Sequence, residues 1–179
     1  IFAEFARVVC ICIGGLTEKN EQWKLVLKPL AGRDEKILLQ EFCLALAKFC
    51  KQHPKMNFCG HNIREFDIPF LCRRMIINDI PLPECMQLHG KKPWDINHLD
   101  TLDLWRFGDY KNFTSLALLA EILGIPSPKE DIDGSMVGEV YWVEQNLDRI
   151  AQYCLRDVLT TAKIFLHLKG LKHIAPLPE

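Results

Sequence analysis

Three side chains in this sequence are of types that can do chemistry: the carboxylates of Asp67 and Asp157 and the phenol of Tyr153, the last two only four residues apart. Carboxylate oxygens are the hard donors that Mg²⁺ and Mn²⁺ prefer. Asp67 lies in the stretch Gly60-His61-Asn62-Ile63-Arg64-Glu65-Phe66-Asp67-Ile68-Pro69, and Asp157 closes Tyr153-Cys154-Leu155-Arg156-Asp157. Residues four apart on a helix are about 40° out of phase, so Tyr153 and Asp157 share one face. Read singly, each residue also has an ordinary structural account. Asp67 is then a helix N-cap, Asn62 a loop residue and Asp-x-Pro mere punctuation. Asp157 is an exposed acid at the edge of an apolar stripe, and Tyr153 a core ring with its hydroxyl at the rim.

The elements that must position these groups follow from hydrophobic periodicity. Met56 to Cys59 is a short apolar run, and Phe66 or Ile68 to Asn78 is amphipathic, so Asp67 falls where a buried strand hands over to a helix. Pro69 suits the first turn of that helix, where a missing N–H costs nothing. Upstream, Arg7 to Ile13 reads as a fully buried strand ended by Gly14-Gly15, with Gln22 to Leu27 as its antiparallel hairpin partner. Asp34 to Cys50 has helical spacing, with Asp34 and Glu35 at its start and Lys48 near its end.

Downstream, His98 to Leu104 is a strand candidate whose Asp100-Thr101 lies near the sheet edge. Asp100 reads there as a strand-end residue, with the cleft as its other possible direction. Thr114 or Ser115 caps a helix from Leu116 to Leu123 that closes at Gly124. The remainder is helical to about Lys169, with a break near Asn146-Leu147-Asp148 and a frayed tail at Pro176-Leu177-Pro178. On the last helix the apolar stripe runs through Ile150, Val158, Thr161, Ile164, Phe165 and Leu168. The order of elements favours an α/β sheet with helices on both faces, within one domain spanning 1–179.

Composition narrows the class. The 179 residues are 49% apolar and 25% charged, which is ordinary for a soluble globular domain. No run approaches the roughly 20 apolar residues of a membrane span, and no basic n-region or cleavage site marks a signal peptide. The net charge of −1 supplies no overall basic field, so attraction to phosphate falls to local groups: Arg73-Arg74, Lys91-Lys92, or Arg106 with Lys111. Read alone, each of these is solvated surface. The 8 cysteines lack the paired C-x-x-C spacing of a structural zinc site. Cys10 and Cys12 share one strand face, which suits small core hydrophobes in a reducing cytoplasm. Asp131-x-Asp133-Gly134-Ser135 hints at a calcium loop, but its twelfth position is Trp142 rather than Glu, leaving a turn or a substrate-side loop.

Taken together, Asn62-x3-Phe66-Asp67 after a strand and Tyr153-x3-Asp157 on a late helix resemble the second and third motifs of DEDD-superfamily exonucleases. The Tyr marks the tyrosine-bearing branch. His98-Leu99-Asp100-Thr101-Leu102-Asp103-Leu104-Trp105-Arg106-Phe107-Gly108-Asp109 extends the likeness. So do Gly124-Ile125-Pro126-Ser127-Pro128-Lys129 and Asp131 to Ser135. These segments resemble a predicted bacterial exonuclease group related to the proofreading domain of family-B DNA polymerases. The resemblance implies a ribonuclease H-like fold, a mixed central sheet flanked by helices on both faces. It implies 3′–5′ hydrolysis of nucleic acid, single-stranded DNA ahead of RNA, by two divalent ions, Mg²⁺ or Mn²⁺. Asp67 and Asp157 are then catalytic metal ligands and Tyr153 orients the attacking water. His61, Asn62 and Phe66 become substrate-binding candidates, although His61 and Asn62 equally suit holding the loop itself.

The first motif of the superfamily, Asp-x-Glu at the tip of a first strand, does not occur upstream of Arg7, where only Glu4 is acidic. The expectation is therefore an N-terminally incomplete domain whose missing strand lies between residues 7–13 and 56–59, with little activity in the chain as it stands. The rival from another class is a non-catalytic nucleic-acid-binding or scaffold domain without the first motif. A zinc-stabilised interaction module ranks below both.

Overall fold

The computed structural model describes residues 2–20, 22–126 and 131–171. The expectations for Ser127-Pro128-Lys129 and for the tail at Pro176-Leu177-Pro178 lie outside the described residues. An antiparallel hairpin opens the fold: β1 (Cys10–Lys19) pairs with β2 (Gln22–Ala31), from Cys10 opposite Ala31 to Lys19 opposite Gln22. β1 does not stop at Gly14-Gly15. Side chains alternate between the two faces of a strand, and here both faces are covered by helices. A Cβ on Gly14 would meet Val158 Cγ1 at 2.7 Å, and one on Gly15 would meet the Phe49 ring at 3.0 Å. The glycine pair thus admits close packing on both sides of the ribbon. The segment is also less enclosed than its β-branched run suggests: Val8 and Ile11 are buried, whereas Cys10, Cys12 and Ile13 are half-buried.

α1 (Glu35–Gln52) begins where Asp34 accepts from the Ile37 N–H at 3.0 Å. Its face of Leu38, Leu39, Phe42 and Leu46 enters the main core with Ile11, Leu30, Ile63, Ile68 and Met75. Glu35 sits at the head of α1 as a buried acid. It accepts from Arg74 Nε at 2.8 Å, Val8 N at 2.6 Å and Asn78 Nδ2 at 3.1 Å, while Arg74 Nη1 donates to the Ala3 carbonyl at 2.8 Å. Arg74 is therefore no phosphate-seeking surface group; its charge is spent inside the fold.

A second ladder is parallel and short. β3 (Cys59–Gly60) pairs with β4 (Leu99–Asp100), and α2 (Asp67–Ile77) follows β3. The strand expected over 98–104 turns helical at once, as α3 (Thr101–Arg106), because Asp100 accepts from the Leu102 N–H at 3.0 Å. Among the described residues the four strands make two separate two-stranded sheets rather than one central sheet, since no hydrogen bonds join β1 or β2 to β3 or β4. The architecture is mixed α/β.

α4 (Leu116–Ile122) is capped by Ser115, and α5 (Val137–Glu139) runs into a π turn over Val140–Glu144. Gln145 then takes a left-handed backbone (φ 53°), and Asn146 caps α6 (Leu147–Leu168) by accepting from Arg149 N at 3.0 Å. α6 touches β1, β2, β3, α3 and α4. Its burial accordingly extends beyond one stripe, through Ile150, Thr160, Ala162, Ile164 and Leu166. That helix is the beam on which Tyr153 and Asp157 are carried. No helix among the described residues is long and apolar enough to cross a membrane.

Candidate active site

The turn from β3 to α2 is built around Asp100. Its buried carboxylate accepts from the backbone N–H of Asn62 (2.8 Å) and Leu102 (3.0 Å) through Oδ1, and from that of Arg64 (3.2 Å) through Oδ2. A buried carboxylate is costly unless hydrogen-bonded. Three N–H donors satisfy it and fix the loop, with Asn62 in a left-handed conformation (φ 62°) that Asn tolerates. Asp100 is thus the strand-end residue of the turn. Arg64 ties the same turn to the β4 approach, donating to the His98 carbonyl at 2.6 Å and to Asp103 at 3.3 Å.

His61 holds the other side. Burial lowers its pKa, and a carbonyl can only accept, so the neutral ring carries its proton on Nε2 and donates to Thr114 O at 2.8 Å. Nδ1 accepts from the Thr101 hydroxyl at 2.9 Å. Both ring nitrogens are therefore engaged with the protein, in a role that latches the turn to the start of α4.

Phe66 precedes α2 without a side-chain cap and leaves its ring partly exposed, 5.6 Å from that of Phe70. Asp67 is the first residue of α2, not its N-cap; helix-terminal N–H groups there favour an anion. Its carboxyl is nonetheless pushed up to about 6, first by the protein packed around it and then by the charges of Asp100 and Asp157. The side chain keeps solvent contact, so this is an open, crowded acidic site rather than a core one.

From α6, Tyr153 donates its hydroxyl to Asp157, and its pKa is raised by burial, by the charge of Asp157 and by that hydrogen bond. The Asp133 charge contributes as well, and a Cβ on Gly134 would lie 3.8 Å from the phenol oxygen. The 131–135 segment is thus a turn, with Asp133 accepting from Ser135 N at 2.8 Å, and it borders Tyr153. Cys154, next along α6, accepts from the Cys10 thiol and from Cys12 N–H, which lowers its pKa; Asp157 and Asp67 both act on it in the opposite sense. β1, α2 and α6 therefore converge here.

The structure brings Asp67, Asp157 and Tyr153 into one neighbourhood, with Asn62 and Phe66 on the turn leading to Asp67. Among the described residues, no group of three or more His, Cys, Asp or Glu side chains has the arrangement of a metal cage. Asp100 is a positioning residue that sequence reasoning placed but whose three backbone partners no pattern announces. His61 takes the loop-holding role that the sequence offered beside substrate binding, but its partners Thr101 and Thr114, like the Arg64 fork, carry no local periodic signal. An apolar surface groove lined by Phe5, Arg7, Val9, Tyr141 and Trp142 includes none of these residues.

The sequence pattern of one protein family, described as a predicted 3′–5′ exonuclease related to the exonuclease domain of PolB, matches residues 2–174. No curated protein matches the chain. The match runs through both the β3–α2 turn and α6, the elements that carry the acidic neighbourhood. The chain belongs to the family of predicted 3′–5′ exonucleases related to the exonuclease domain of PolB.

Proposed function

We propose that this protein removes nucleotides from the 3′ end of single-stranded nucleic acid in a reaction that depends on Mg²⁺ or Mn²⁺ held by Asp67 and Asp157. The observation that carries the reading is the meeting of those two acids beside Tyr153, with Asp67 raised to about 6 partly by Asp157. The donor set suits the cation: Mg²⁺ commonly takes one or two protein carboxylates and leaves its other positions to water and substrate phosphate. A bound cation relieves the like-charge repulsion and supplies Lewis-acid activation of water and stabilisation of the leaving oxygen. The count of two ions rests on the likeness to the tyrosine-bearing DEDD branch, as does the ribonuclease H-like fold.

The chain's own groups do the positioning. Tyr153 stays protonated across the working pH range, so its hydroxyl orients the attacking water and does not act as a base. Asp100 and His61 fix the turn from which Asn62 and Phe66 face the 3′ terminus, and Phe66 offers an exposed ring to the terminal base.

The test is degradation of a 5′-labelled single-stranded oligonucleotide by the full-length protein with Mg²⁺. Shortening from the 3′ end is expected, with Asp67→Ala and Asp157→Ala each abolishing it. Retention of activity in either variant, or loss of nucleotides from the 5′ end, overturns the proposal.

A further inference from the structure

The segment between α3 and α4 carries rings that no core claims. Phe107, Tyr110 and Phe113 are 90%, 75% and 63% exposed. Phe107 also holds a left-handed backbone (φ 46°) at the end of α3, beside Gly108 at φ 91°. A bulky residue in that region is a true outlier, and such local strain gathers at functional surfaces. Exposure combined with strain gives Phe107 no evident part in folding.

One end of this segment adjoins the candidate site. The Phe113 ring stands edge-on to His61, 6.4 Å between centroids, and the carbonyl of the next residue, Thr114, accepts the hydrogen bond from His61 Nε2. At the other end the Arg106 guanidinium lies 5.7 Å over the Tyr110 ring, and its Nε is buried without a partner among the described residues. Positive charge near the rings comes from Arg64, Arg106 and Lys111. It is offset by Asp103, which pairs with both arginines, and by Asp109, which accepts from Lys111 N and Asn112. The charges nearly balance, so the ring faces dominate what the ridge offers.

We propose that Phe107, Tyr110 and Phe113 form a stacking platform for the bases of single-stranded nucleic acid on its way to the carboxylates. The inference rests on the nuclease reading and adds to it the basis of strand selection. Bases expose their faces only when unpaired, and aromatic side chains stack on them with little regard to sequence. A duplex offers no such faces. With few uncompensated cations the contact depends weakly on salt, unlike the ~10³-fold or greater loss of a binder with many phosphate contacts.

The test is fluorescence anisotropy of labelled single-stranded DNA and RNA of one mixed sequence, and of the matching duplex, with the full chain in EDTA. Wild-type protein is expected to bind the single strands and not the duplex. Phe107→Ala, Tyr110→Ala and Phe113→Ala should each weaken binding about tenfold, with unchanged melting temperature because the rings are exposed. Tyr in place of Phe107 and Phe113 should preserve affinity, whereas Leu should lose it as Ala does. Affinity retained by the Leu variants refutes stacking and points to an apolar protein surface instead. Tight wild-type binding unaffected by all three Ala changes overturns the platform and leaves the carboxylate reading standing. If wild-type protein binds no oligonucleotide in EDTA, the platform falls, and 3′ shortening of the labelled strand with Mg²⁺ decides the nuclease reading separately.

Discussion

Replacing Asp67 with Asn should make the metal-free protein more stable at neutral pH. The carboxyl rises from an ordinary 3.8 to about 6 on folding, a difference of roughly 2 units, or about 3 kcal/mol at ~1.36 kcal/mol per unit. The side chain keeps solvent contact, so screening removes much of that, and a net gain of about 1 kcal/mol is the reasonable expectation. The sign follows from linkage. A group whose folded pKa lies above its unfolded value adds stability below the unfolded pKa, and that stability is lost as pH rises through the folded one. The advantage of Asp67→Asn should therefore be absent near pH 4, grow between about pH 4 and 6, and level off above. Urea denaturation of both proteins in EDTA across that range measures it. A variant equal to or less stable than wild type at pH 7.5 would refute the claim that packing and neighbouring acids disfavour the ionised carboxyl at this position.

Arg74→Met should cost about 3–5 kcal/mol, because it strands the buried Glu35 carboxylate; Glu35→Leu combined with Arg74→Met should recover most of that loss in chemical denaturation. Glu35 itself is held below its ordinary pKa against the opposing effect of burial, chiefly by Arg74, so its stabilising contribution should disappear as pH falls through the carboxylate range in an acid titration of the fold. Asp100→Asn keeps an acceptor for Asn62 and Leu102 but sets an NH₂ group against Arg64 N–H, costing about 1–3 kcal/mol. Asp100→Ala should cost more, and both should lower the Asp67 pKa read by NMR. Tyr153→Phe should melt like wild type yet slow 3′ degradation about ten- to a hundredfold. The wild-type rate should show no rise with phenol ionisation between about pH 8 and 10.

Local physics was readable in the chain. Asp34, Ser115 and Asn146 cap helices where capping chemistry and breaks in periodicity place the boundaries, and Tyr153 and Asp157 share a helix face by arithmetic alone. Long-range physics was not. Gly14-Gly15 looks like a stop in one dimension, yet in three it is where α6 and α1 come close to opposite faces of β1. Asp100-Thr101 carries strand-like neighbours, but a cap made by the Asp100 side chain itself turns the chain helical. Arg74 follows Arg73 as an apparent surface pair, and only the distant Glu35 reveals it as buried. The turn bearing Asp67 was legible as a turn. What positions it, the Asp100 carboxylate and the His61 latch, depends on partners some forty residues away.

The most direct measurement of the shared-cation claim is paramagnetic broadening by substoichiometric Mn²⁺ in isotopically labelled protein. Signals around Asp67, Tyr153 and Asp157 should vanish together at one Mn²⁺ concentration, and either Asp67→Ala or Asp157→Ala should restore all of them. Broadening confined to one of the two acids, or persisting around it when the other is removed, would contradict a cation held between α2 and α6.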